Sequence, residues 1–245
     1  MRFLIGKGLA LLVTLVGVSG CNAPAFPKRS IETAEIPDRI ADFQVLYTRN
    51  CAGCHGQDGK GGAALAINDP TYLAIADDLV LHTAIEKGIR GTAMPAFGQS
   101  AGGMLTREQV EILVRGIRQH WARPDQLQGV TVPSRVASTT GDATRGLVTF
   151  RRYCSSCHGV DGAGGKSASS IVDPSFLSLI NDQELRTLVL VGRPELGAPD
   201  WRGNVVGQPM SDQEISDVVA WLSSKRSSFT DESAGVSPNE SGGEK

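Results

Sequence analysis

Two short runs, Cys51-Ala52-Gly53-Cys54-His55 and Cys154-Ser155-Ser156-Cys157-His158, carry residue types and a spacing able to do chemistry. A C-x-x-C-H run is the attachment sequence of a c-type haem: two thiols bond the porphyrin vinyl groups, and the adjacent histidine is delivered to the iron as an axial ligand. A single C-x-x-C pair also reads as half of a zinc site or as a thioredoxin-like redox pair. Cys54 to Cys154 is far longer than zinc-ribbon spacing, and both copies keep their histidine. The pattern therefore points to covalent haem, one per copy.

The elements that must position these runs are themselves duplicated. Asp58-Gly59 is echoed by Asp161-Gly162, and Asp69-Pro70-Thr71-Tyr72-Leu73 by Asp173-Pro174-Ser175-Phe176-Leu177. Each copy opens with a helical pattern before its first cysteine, around 43–50 and 146–153. A further helix near 78–88 or 182–192 is closed by glycine. A last helix follows over 106–121 or 211–225, each headed by a hydroxyl residue suited to an N-cap. Apolar residues recur there at helical spacing, at Val110, Leu113, Val114 and Ile117 and at Ile215, Val218, Val219 and Leu222.

Composition limits what these elements can build. Only 5 % of the 245 residues are aromatic, which suits two small cores, each completed by something besides side chains. With 24 basic and 26 acidic residues the net charge is −2, so no nucleic-acid partner is expected. The chain has no nucleophile-elbow motif and no strand-to-helix phosphate loop, and no catalytic residue is assigned.

On these motifs the chain resembles the class I cytochrome c family twice over, across residues 38–121 and 142–226. The resemblance implies an all-α fold of two tandem domains, each with its first and last helices crossed and wrapped around a covalent haem, two c-type haems in all. Cys51, Cys54, Cys154 and Cys157 would hold the cofactors, with His55 and His158 on the irons. Gly91-Thr92-Ala93-Met94-Pro95-Ala96-Phe97 looks like the family's methionine loop, making Met94 the sixth ligand of the first haem. The family also uses a proline carbonyl to orient the histidine ring, which maps to Pro70 and Pro174; loop rigidity is their plainer role. Its helix crossing pairs a glycine with an aromatic residue, kept as Gly146 and Trp221. In the first copy Phe43 and Gly116 stand at those positions with bulky and small partners exchanged.

The copies part at the sixth ligand. Ala198 aligns with Met94, and the second copy's one methionine is Met210, aligned with Leu105. Either the 198–210 loop refolds so that Met210 ligates, or Met210 packs like Leu105 and the iron is open or bound by another group. The resemblance implies a carrier of single electrons rather than an enzyme. Its partners would be other redox proteins: a quinol:cytochrome c oxidoreductase, a terminal oxidase or a dehydrogenase. The alternative is a haem enzyme or ligand sensor using an open haem in the second domain.

Residues 1–20 have the charged start, apolar run and small residues of an export signal. Val18-Ser19-Gly20-Cys21 resembles a bacterial lipobox, which makes Cys21 the lipidated residue and predicts a lipid anchor on the extracytoplasmic side of a membrane. Residues 21–37 read as a tether, 122–141 as a linker rich in Pro, Ser and Thr, and 227–245 as a disordered tail.

Overall fold

The structure, a computed structural model, describes residues 36–226. The expected signal and lipidated Cys21, most of the tether and the tail lie outside the described residues. Among the described residues there is no strand, only the isolated bridges Gly98–Leu105 and Arg193–Ala198. The protein is all-α.

Module one runs through α1 (Phe43–Asn50), α2 (Ala52–His55), α3 (Pro70–Ile75), α4 (Asp78–Lys87) and α5 (Arg107–Trp121). Module two repeats the order with α6 (Ala143–Tyr153), α7 (Ser155–His158), α8 (Pro174–Ser178), α9 (Asp182–Val191) and α10 (Asp212–Ser223). Each longer helix starts where a side-chain oxygen can satisfy a free backbone N–H. Asp42 accepts from Val45 N–H and Asp142 from Arg145 N–H, both at 2.8 Å. Thr106 and Ser211 form full capping boxes with Gln109 and Glu214, so both last helices begin alike. Helices α4 and α9 stop at Gly88 and Gly192, both at φ 68°.

The last helix is the spine of each module. Val110, Leu113, Val114 and Ile117 bury one face of α5, and Ile215, Val218, Val219 and Leu222 one face of α10. Burying each such side chain contributes about 1.5–3 kcal/mol. Helix α6 meets α10 at Gly146, where a Cβ would lie 2.0 Å from Asp217 O and 2.7 Å from Trp221 Cβ. In module one the gap is on the other helix: a Cβ on Gly116 would lie 2.1 Å from Cδ2 of Phe43. The exchange of bulky and small partners is therefore realised in the packing.

The segment between the modules contains no helix but is fastened to module two. Arg186, 2 % exposed, donates from Nε to Ser134 O at 2.9 Å and from Nη1 to Ser216 Oγ at 3.0 Å, and it pairs with Asp212. Gln183 donates to Arg135 O at 2.8 Å, and Asp142 N–H to Asp217 Oδ1 at 2.8 Å. The modules also touch directly. Asn181 Nδ2 donates to Arg90 O at 2.7 Å, Ala93 N–H to Leu179 O at 3.2 Å, and Arg193 Nη2 to Gly62 O at 2.9 Å.

Candidate haem sites

Each C-x-x-C-H run forms a one-turn helix directly behind the first helix of its module. Cys51 N–H donates to Tyr47 O and Cys154 N–H to Phe150 O, both at 2.8 Å, so the run continues from a buried aromatic anchor. Within the turn His55 N–H donates to Cys51 O and His158 N–H to Cys154 O, both at 3.0 Å. Positions i, i+3 and i+4 of a helix share a face, which brings both cysteines and the histidine of each run to one side. The chain then turns away at Gly56 (φ 82°) and Gly159 (φ 77°). A Cβ on Gly56 would lie 1.8 Å from Lys60 O, so this turn requires glycine.

The ring of His55 is held by Nδ1 against Leu65 O at 2.8 Å, and that of His158 against Ser169 O at 3.0 Å. A carbonyl can only accept, so Nδ1 carries the proton and Nε2 keeps its lone pair for a metal. This corrects the assignment of the orienting carbonyls to Pro70 and Pro174. Both prolines are instead the first residue of α3 and α8, behind Asp69 and Asp173 as N-caps. Their fixed φ suits that position. Burial holds His55 below the usual histidine range; the bond to Leu65 opposes this, and the positive charge of Arg193 adds to it. The neutral imidazole is the form that binds iron.

None of the four described cysteines is in a disulfide. Burial, with a smaller contribution from the neighbouring Cys54 or Cys157, pushes the thiols of Cys51 and Cys154 up to about 12. No cluster of three or more metal-ligating side chains occurs among the described residues.

Met94 is half-buried in the loop after α4. Its carbonyl accepts from Ile89 N–H at 3.1 Å, and its N–H donates to Thr92 Oγ1 at 3.1 Å. Gly88 sets the loop close, since a Cβ there would lie 2.7 Å from the carbonyl carbon of Pro95. In module two Arg193 N–H donates to Ala198 O at 2.9 Å, so Ala198 takes the backbone place of Met94. Met210 is packed in the core at 2 % exposure, immediately before Ser211, as Leu105 is before Thr106.

Sequence reasoning missed Leu65, Ser169 and Arg193. The first two act through backbone carbonyls, which leave no side-chain signature. Arg193 belongs to module two and reaches the loop behind His55 of module one, a contact no repeat alignment contains.

Comparison with known families bears on the same residues. The family described as cytochrome c oxidase, cbb3-type, subunit III matches residues 38–115 and again 141–222. The chain belongs to this family of cytochromes c. Its two modules are cytochrome c domains, which bind covalently attached c-type haem. The attachment turns and the oriented imidazoles fit that group.

Relatives of this cytochrome include the cytochrome bc1 complex cytochrome c subunit of Mycobacterium leprae, 25 % identical over 192 residues, 76 % of this chain and 64 % of that protein. The proteins of the same name from Corynebacterium efficiens and Mycobacterium tuberculosis are 22 % and 23 % identical, over 92 % and 91 % of this chain and 77 % of theirs. The chain thus spans just under two thirds of the first relative's length. A chain of the reducing HAO-like protein complex of Kuenenia stuttgartiensis aligns at 17 % identity and TM-score 0.47, covering 79 % of this chain and all of that one.

Proposed function

We propose that this cytochrome is the electron-carrying subunit of a quinol:cytochrome c oxidoreductase, passing single electrons to a terminal oxidase or a further carrier. Cys51 and Cys54 hold the first haem with His55 and Met94 on its iron, and Cys154 and Cys157 hold the second with His158. The cofactors supply the one-electron chemistry, while the chain orients their ligands and sets their potentials. Cys21 anchors the protein by lipid on the extracytoplasmic face of the membrane.

The observation that carries this reading is the contact between the two modules. The Met94 loop rests on module two through Ala93 N–H and Leu179 O, and Arg193 of module two reaches the loop behind His55. Two redox sites fastened in this way suit internal electron passage better than two independent binding modules. The names of the relatives support the choice of complex.

The test is detergent extraction of membranes that contain a tagged chain, followed by reduction with a quinol analogue. Co-purification with a quinol-oxidising complex and quinol-dependent reduction of both haems is the expected result. A chain that elutes alone and is reduced only by small-molecule reductants would defeat the proposal. Mass measurement of the mature N-terminal peptide tests the lipid on Cys21 separately.

A further inference from the structure

We propose that module two supplies no side chain as sixth ligand to its haem, which therefore binds a small exogenous π-acceptor, carbon monoxide or nitric oxide, where module one uses Met94. The inference rests on reading residues 154–158 as a haem attachment site.

The two sixth-ligand loops share their backbone frame. Ile89 N–H to Met94 O at 3.1 Å in module one is matched by Arg193 N–H to Ala198 O at 2.9 Å in module two, with a second bond from Ala198 N–H to Arg193 O at 3.1 Å. Ala198 is thus held where Met94 stands, and its methyl group has no lone pair to offer.

Met210 is held elsewhere, also by a repeated bond. Leu105 N–H donates to Phe97 O at 2.7 Å and Met210 N–H to Trp201 O at 3.0 Å. Both residues directly precede the capping box of the last helix. Protein atoms enclose Met210 to 2 % exposure, as they enclose Leu105 to 4 %, whereas Met94 is half-buried. A thioether needs a free face to ligate. To bring its sulfur to the place of Ala198, Met210 would have to leave the core, release Trp201 O and disturb the Ser211–Glu214 cap. The backbone thus assigns Met210 the part of Leu105.

The other described donors are committed to other places. In module one His82 pairs with Glu86 on α4, His120 stacks on Phe43, Met104 is 75 % exposed, and Lys60 and Lys87 are exposed. In module two Lys166 is exposed in the loop after His158, and Lys225 lies over the Trp221 ring at 5.4 Å.

The test uses the full-length holoprotein, with haem content first measured as the pyridine haemochrome. With two haems per chain, the reduced wild type is expected to take up one carbon monoxide per chain. Met210→Leu should leave that stoichiometry and the spin state of the oxidised protein unchanged. Ala198→Met should abolish the uptake, and Met94→Leu should raise it to two. Wild type that takes up no carbon monoxide overturns the proposal; if Met210→Leu then gains one equivalent, Met210 is the ligand. Fewer than two haems, with none on the 154–158 peptide, would instead overturn the attachment reading and this proposal with it.

Discussion

Phe43 fills the volume that a side chain at position 116 would need: a Cβ on Gly116 would come within 2.1 Å of one ring carbon and 2.4 Å of another. The same ring stacks on His120 at 4.9 Å and meets Trp121 edge-on at 5.9 Å. Gly116→Ala should therefore destabilise module one by about 1–3 kcal/mol through overpacking. Combined with Phe43→Ala the cost should be clearly less than the sum, because the two sites share one volume. Urea unfolding of the holoproteins, followed by the absorbance of the haems, measures both numbers.

Gly88 should govern the ligation of the first haem. At φ 68°, with its Cβ direction aimed at the carbonyl carbon of Pro95, it admits no larger residue without moving the Met94 loop. Gly88→Ala is expected to displace Met94 and make the first haem reactive to carbon monoxide, while the attachment of both haems stays intact. An optical titration that leaves module one unreactive would show that the loop adapts without losing its sulfur.

Arg193 should tune the potential of a haem in the other module. Its guanidinium reaches Gly62 O and lies near enough to His55 to oppose protonation of that ring. A cation near an iron centre favours the reduced, less positive state. Arg193→Leu should lower the module-one midpoint by an amount on the order of tens of millivolts, where about 59 mV is tenfold for one electron. Arg193→Lys should lower it less. Potentiometric titration with the two haems resolved decides this, and an unshifted midpoint would reduce Arg193 to a structural tie.

Asp217 should make module two sensitive to acid. Burial alone would raise its carboxyl, but bonds from Arg145, Asp142 N–H and Gln213, with the charge of Arg145, outweigh burial and hold it below the usual range. A carboxyl lowered in the folded state stabilises above its unfolded value, about 3.9, and loses that contribution as pH falls through the lower folded value. Asp217→Asn should cost about 1.5–3 kcal/mol at pH 7, toward the low end because Arg145 is exposed. The gap between variant and wild type should close below about pH 4. Unfolding curves at the two pH values check the sign.

Helices long enough to show a period were legible in the sequence. The first was expected around 43–50 and is Phe43–Asn50; the last two begin at the expected caps Thr106 and Ser211. Helices α3 and α8, of six and five residues, carry too few turns for periodicity, and their prolines suggested carbonyls that accept from the histidine rings. The attachment turns were legible because covalent chemistry fixes residue type and spacing together. The carbonyls of Leu65 and Ser169 were not, since any residue has a carbonyl. Trp121 is a subtler case. It stands where module two has Arg226, yet a Cβ on Gly59 would lie 3.1 Å from its ring, as a Cβ on Gly162 would lie 3.2 Å from the Trp221 ring. Packing has conserved a volume that the alignment does not pair.

The run fastened across α9 and α10 decides what could be transplanted from this protein. Buried Arg186 keeps two of its bonds only if Ser134 travels with it, and Asp217 keeps one only if Asp142 does. A graft that begins at the first residue of α6 would lose those three bonds, leaving Arg186 with Ser216 and Asp212 and Asp217 with Arg145 and Gln213, whereas one that begins before Ser134 would keep them all. Module one has the matching arrangement, since buried Gln109 donates to Pro37 O at 2.7 Å and Ile40 O at 3.1 Å. The portable cassette in each half is therefore longer than its haem-binding helices and includes the strand of chain that leads into them.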